Sequence, residues 1–123
     1  MVKALFDENS GILDVRFAGD VSISELVDYI DATRSNKHYP RVLKILTDAT
    51  HAEMNFSPAD LEKVVAANFK SLEQYKSIID AIVIDSPRET AISMFYQDLA
   101  KTNKYKFEVF STRGIALSWL EDQ

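Results

Sequence analysis

Apolar positions recur along this chain in two rhythms that take turns. Short runs at 2–6, 12–18, 41–47, 78–84 and 105–110 have the length and the β-branched and aromatic content of strands. In the second run Leu13, Val15 and Phe17 fall on one side and Ile12, Asp14 and Arg16 on the other, the period of a pleated strand. Ala81-Ile82-Val83-Ile84, with Ile78 and Ile79 before Asp80, has the length of a buried strand. The first two runs flank Asp7-Glu8-Asn9-Ser10-Gly11, a turn-rich link that predicts a hairpin.

Between the later runs the period lengthens to that of a helix, and each helix has a recognisable start. Ser22 can cap a first turn while Glu25 reaches back, with Val21 packing on Leu26 as a hydrophobic staple. Leu26, Val27, Ile30 and Thr33 then mark one face of a helix that fades at Ser35-Asn36. In Phe56-Ser57-Pro58-Ala59-Asp60-Leu61 the serine is a cap and the proline takes the first helical position, where a missing amide costs nothing. Leu61, Val64, Val65, Asn68 and Leu72 follow at helical spacing. Ser86-Pro87-Arg88-Glu89 repeats the device, with Ala91, Ile92, Phe95 and Leu99 as the expected buried stripe. A last helix opens near Thr112 and carries Ile115, Ala116, Trp119 and Leu120. The order β-β-α-β-α-β-α-β-α predicts an α/β fold: a mixed β-sheet with an opening hairpin and then parallel crossovers, flanked by four helices.

Composition narrows the classes. A length of 123 residues suits one domain spanning 1–123, and 46% hydrophobic with 27% charged residues is the balance of a globular chain. The absence of cysteine removes thiolate chemistry and accords with a cytoplasmic location. No leader-like segment opens the chain, and no apolar run approaches the roughly 20 residues of an integral membrane segment. The net charge of −5, with scattered basic residues, argues against nucleic acid as a partner. No metal site and no cofactor are expected: His38 and His51 stand apart, and Gly11, Gly19 and Gly114 form no phosphate-cradling loop.

The opening hairpin with Gly11-Ile12-Leu13, the strand Leu43-Lys44-Ile45-Leu46-Thr47-Asp48 and the ending 110–120 give the chain a resemblance over nearly its whole length. It resembles the STAS family, small domains typified by bacterial anti-sigma-factor antagonists, and more closely the STAS-like proteins grouped with lipid-binding Sec14 domains. The resemblance implies a non-enzymatic regulatory domain. In the family a serine in an Asp-Ser-Ser/Thr-Gly run is phosphorylated. The matching stretch here is Met54-Asn55-Phe56-Ser57-Pro58: Asn55 stands for the aspartate, Phe56 for the phosphorylated serine and Pro58 for the glycine. Only Ser57 matches, so phosphorylation control is not carried over.

The carboxyl ends of parallel strands are where ligands gather, near helix starts. Three such ends are expected on one edge: Thr47-Asp48-Ala49-Thr50-His51, Asp85-Ser86-Pro87-Arg88 and Ser111-Thr112-Arg113. Read for function, Arg88 and Arg113 are fork donors for an anion, with Ser86 and Thr112 at helix starts. Read for structure, the hydroxyls cap helices and the aspartates pair with the arginines. His51 oriented by Asp48 could be the base of a hydrolase, but no nucleophile elbow accompanies it.

The aromatics carry a second set of expectations. Phe56, Phe69 and Tyr96, with neighbours on the second and third helices, either complete the core or border a groove, which the Sec14 resemblance implies would take a lipid or other small hydrophobic ligand. Phe69 and Tyr96 sit beside the expected stripes, so they are expected at the surface, in contact with a protein partner or a second copy in a homodimer. The expectation is thus a non-enzymatic binding or regulatory module, with no catalytic residues. Its alternatives are a carrier of a hydrophobic small molecule and a hydrolase using His51 and Asp48. The candidate binding residues are Asp48, Thr50, His51, Phe56, Ser57, Phe69, Ser86, Arg88, Tyr96 and Arg113.

Overall fold

The computed structural model describes all residues from Met1 to Gln123. Its elements are β1 (Val2–Asp7), β2 (Ile12–Asp20), α1 (Ile23–Ser35), β3 (Val42–Glu53), α2 (Pro58–Leu72), β4 (Ser77–Val83), α3 (Pro87–Leu99), β5 (Tyr105–Phe110) and α4 (Arg113–Glu121). They occur in the expected order. One sheet has its strands in the order β1-β2-β3-β4-β5; β1 is antiparallel to β2 and every later neighbour is parallel. This is the mixed sheet that the chain pattern predicts.

Local chemistry explains the connections. Gly11 closes the hairpin at φ 72°, a left-handed conformation that glycine adopts without the strain a side chain brings. Ser22 with Glu25, and Ser57 with Asp60, form complete capping boxes at the starts of α1 and α2. At α3, Ser86 makes no cap to the backbone; its hydroxyl donates instead to Glu89 Oε1 at 2.8 Å.

Because β2 to β5 lie side by side in chain order, right-handed crossovers put α1, α2 and α3 on one face of the sheet. The larger core lies there, built on Leu13, Val15, Leu43, Ile45, Ile78 and Ile82. After β5 the chain turns to the other face, where α4 sets Ala116 and Leu120 on Leu46, Ile79, Ala81 and Val83. Residues alternate between these two cores along β4. Asp80 therefore belongs to the face beneath the three helices.

Two expectations are corrected. The first concerns 47–51, which is not a loop: β3 continues to Glu53, paired with the end of β2 through Ala18–His51, Gly19–Ala52 and Asp20–Glu53. The register shifts between Arg16 and Ala18. One extra residue on β3 thereby breaks the period of two, so Ala49 and Ala52 both stay buried. Of its polar residues, Asp48, Thr50 and His51 are the outward half of a strand, while Thr47 is buried on the inner face.

The second correction is a rotation of α3. The buried residues are Glu89, Ser93 and Tyr96, not Phe95 and Leu99, which are exposed. Tyr96 is 9% accessible and Phe95 45%. The helix is apolar on both sides, so its pattern alone did not fix the inner one. Tyr96 goes inward because it meets Phe107 and Tyr105 edge to face, with ring centroids 5.0 and 6.2 Å away, a favoured aromatic geometry. The expected surface pair of Phe69 and Tyr96 is therefore broken: only Phe69 is exposed. On α4 Ile115 is likewise exposed, and Ala116 and Leu120 carry the packing.

Candidate ligand cavity

The three helices do not fill the space above the centre of the sheet. A cavity of about 80 Å³ remains, bounded by α1, α2, α3 and strands β2 to β5. Most of its wall is apolar, from residues such as Phe17, Ile45, Phe56, Leu61, Ile82 and Ile92. A water occupies about 30 Å³ of liquid and an apolar cavity of about 150 Å³ admits benzene. The space thus suits a molecule of a few heavy atoms. A sterol or a long acyl chain would not fit unless the helices moved.

Polar groups converge at one place in this wall. Asp80 lies in the middle of β4 beneath the helices, and the surface it retains faces the cavity. Thr47 Oγ1 donates to Asp80 Oδ1 at 3.0 Å, and Tyr105 OH donates to Asp80 Oδ2 at 3.3 Å. Tyr96 OH donates in turn to Tyr105 OH at 3.2 Å. Asn68, from α2, is buried at the same cavity with its Nδ2 unpartnered. Tyr29 completes the set from α1.

Electrostatics follows from this burial. Loss of water raises the Asp80 carboxyl from the ordinary 3.8 to about 7, against the opposing hydrogen bonds from Thr47 and Tyr105. Burial also pushes the hydroxyls of Tyr29, Tyr96 and Tyr105 up, with the nearby Asp80 adding to the effect. The cavity wall contains no lysine, arginine or histidine. A carboxyl here near neutral pH is close to balance between its two forms.

Of the residues singled out from the sequence, Phe56 and Tyr96 line this cavity; the others lie elsewhere. Asp48, Thr50 and His51 occupy β3. Asp48 Oδ1 accepts from Thr50 N at 3.0 Å and Thr50 Oγ1 at 2.7 Å, while His51 is exposed and no hydrogen bond joins it to Asp48. Partial burial acts to raise the Asp48 carboxyl, but the two bonds from Thr50, with Arg113 and Arg16 nearby, outweigh it and hold it below the ordinary range. Ser57 is engaged as a cap, accepting from Asp60 N at 3.1 Å. Phe69 is exposed on α2.

The expected pairing of Arg88 with Arg113 around one anion is not formed. Arg88 donates to the Met54 carbonyl at 3.3 Å and pairs with Glu89 at 3.3 Å on the side of the three helices. Arg113 pairs with Asp14 at 2.9 Å across the α4 side. Each has its own carboxylate, and the sheet lies between them.

The residues that sequence reasoning missed are Thr47, Asn68, Asp80 and Tyr105. A signal for Asp80 was present: a lone carboxylate within an apolar strand, in Ile78-Ile79-Asp80-Ala81-Ile82-Val83-Ile84. Such a residue must be paired, protonated or functional.

No protein-family model and no curated protein matches the chain. Among solved structures, it is similar to an uncharacterized protein of the DUF3478 family, with a SpoIIAA-like fold, from Shewanella loihica PV-4. The superposition has a TM-score of 0.62 and covers 98% of this chain and 92% of that one, at 15% identity. The chain has a SpoIIAA-like fold. This agrees with the STAS-like architecture that the hairpin and crossovers imply. At that identity the likeness concerns the path of the chain and assigns no ligand or partner. In the SpoIIAA-like frame seen here, no helix is long and apolar enough to cross a membrane. Phe56, in the link between β3 and α2, lines the cavity.

Proposed function

We propose that this chain is a non-enzymatic binding module whose ligand site is the cavity beneath α1, α2 and α3, and that its ligand is a small, largely apolar molecule with one polar group. The observation that carries this reading is a space of about 80 Å³ with apolar walls and a part-buried carboxyl, Asp80, at one side. Native cores are packed with few voids larger than a water, and a polar group in such a void is commonly there to orient something. The site is built on strands and helices rather than loops, which favours a fixed binding geometry.

Entry of a small apolar probe tests this. Under xenon pressure, the methyl resonances of Ile45, Ile82 and Ile92 should shift, and Ser93→Leu, which fills the space, should abolish the shifts. Shifts confined to exposed Met94 and Ile115, or none at all, would remove the cavity as a site.

A second reading, a protein partner, is favoured by the outer side of α3. Met94, Phe95 and Leu99 are exposed there, while Ile92, Ser93 and Tyr96 of the same helix line the cavity. A ligand that displaced α3 would displace both sides together, which is how a binding module becomes a regulatory one. Phe95→Ser should then weaken association in analytical ultracentrifugation while leaving the melting temperature near that of the wild type. A chain that sediments as a monomer in both forms, with no partner affected, removes this reading.

A further inference from the structure

A carboxylate withdrawn from water needs a positive partner, and the cost of leaving it alone is large. Asp80 takes part in no ion pair: the four in the molecule join Met1 with Glu25, Arg34 with Asp31, Arg88 with Glu89, and Arg113 with Asp14. The groups that meet Asp80 are Thr47 from β3, Tyr105 from β5 and, through Tyr105, Tyr96 from α3. Tyr29 from α1 and Asn68 from α2 also border the cavity. None of these is a cation.

The rest of the wall is suited to supplying what the chain lacks. Tyr29, Phe56, Tyr96, Tyr105 and Phe107 line the same cavity. Aromatic faces attract cations, most strongly where water has been removed. A carboxylate offers acceptor oxygens to an ammonium, whose N–H donors form short charge-assisted bonds. The aliphatic wall from Ile45, Ile82 and Ile92 would receive the carbon end of the same molecule. An anionic ligand would meet Asp80 with no opposing charge, and a neutral one would leave the carboxylate as it stands.

We propose that the cavity takes a small organic cation, a primary ammonium of a few heavy atoms, which supplies the counter-charge that Asp80 lacks. This rests on the reading of the cavity as a ligand site. Binding would hold Asp80 ionised, so a ligand that stays charged should bind more tightly as pH rises through about 7, where the free carboxyl loses its proton.

The experiment compares three molecules of equal size, n-propylamine, 1-propanol and propionate, by calorimetry and by shifts of the cavity methyl groups at about pH 8. Propylamine should bind at least about tenfold more tightly than propanol, the scale of one charge-assisted bond, with propionate weakest. Asp80→Asn should erase the difference between amine and alcohol. If that variant does not fold, the pH dependence of the wild type decides: propylamine affinity must rise through about pH 7 while propanol affinity stays level. Propanol binding as tightly as propylamine, or an amine preference that survives Asp80→Asn, overturns the ammonium and leaves the cavity reading intact. No binding by any of the three overturns the ammonium, and if xenon also stays out the cavity reading falls with it.

Discussion

Two aspartates on neighbouring strands, Asp48 on β3 and Asp80 on β4, show how the two faces of one sheet differ. Asp48 faces the α4 side, where Thr50 donates two hydrogen bonds and Arg113 and Arg16 lie near. It is held in the charged form. Asp80 faces the three helices, where two hydroxyls donate but no cation is within reach, and burial raises its carboxyl to about 7. The same side chain is thus supported on one face and left incomplete on the other. The α4 face is an apolar layer without a comparable gap, with Asp14 paired to Arg113 at its margin. The other face carries the larger core, and that core has a gap. The difference teaches where to look for function: in the layer where a carboxyl without a cation borders a gap, not the layer richest in charge.

The comparison can be broken most sharply through α3, which roofs the gap. Tyr96→Ala removes a ring packed on Tyr105 and Phe107 and should cost about 3–5 kcal/mol in urea unfolding. Phe95→Ala, one residue along, should stay within about 0.5–1 kcal/mol because the residue lies at the surface, 45% accessible. Equal losses, or the reverse order, would mean that α3 is rotated from the orientation described.

The next effect is one of pH. Folded Asp80 keeps a proton up to about 7, whereas the unfolded chain gives it up near the ordinary 3.8. The contribution is present in full below the ordinary aspartate range and is lost as pH rises through about 7. Wild-type stability should therefore fall by up to about 3 kcal/mol between about pH 5 and about pH 8, and Asp80→Asn should flatten the profile. Asp48, whose carboxyl is lowered, acts with the opposite sign and in a lower window: its contribution is lost only as pH falls below the ordinary carboxylate range. A wild-type profile that is flat above about pH 5 would show that Asp80 is not buried in this way.

Smaller effects sharpen the picture. Ser57→Ala should cost about 0.5–2 kcal/mol by removing the cap of α2, and Ser57→Asp should cost little because aspartate also caps. Asp48→Asn should change stability by less than about 1 kcal/mol near neutral pH, since the amide oxygen can still accept from Thr50. Both are read by denaturant unfolding. A larger loss at Asp48 than at Asp80 would invert the contrast between the faces.

Much of this fold was legible in the sequence, for physical reasons. Caps act locally, so Ser22, Ser57 and the helices they begin could be read from a few adjacent residues. The hairpin and the three crossovers followed from the alternation of periods. The parts that failed depend on partners far along the chain. The end of β3 is a strand only because the end of β2 lies beside it, and its extra residue hides the alternation. The inner side of α3 is chosen by Tyr105 and Phe107 on β5. The cavity was the least legible feature, because a void is set by how three helices lie on the sheet and by no residue alone. Its traces were Phe56 and Tyr96, which line it, and Asp80, a charge in the middle of an apolar strand, away from the strand ends where parallel sheets usually bind.

The most direct measurement is a titration of the Asp80 side-chain carboxyl by carbon NMR, first alone and then with n-propylamine present. The free protein should give a midpoint near 7, and saturating amine should lower it, because an ammonium beside the carboxylate favours the charged form. A midpoint in the ordinary aspartate range would contradict the unpaired burial on which the contrast between the faces rests, and a midpoint near 7 that amine does not move would contradict the ligand.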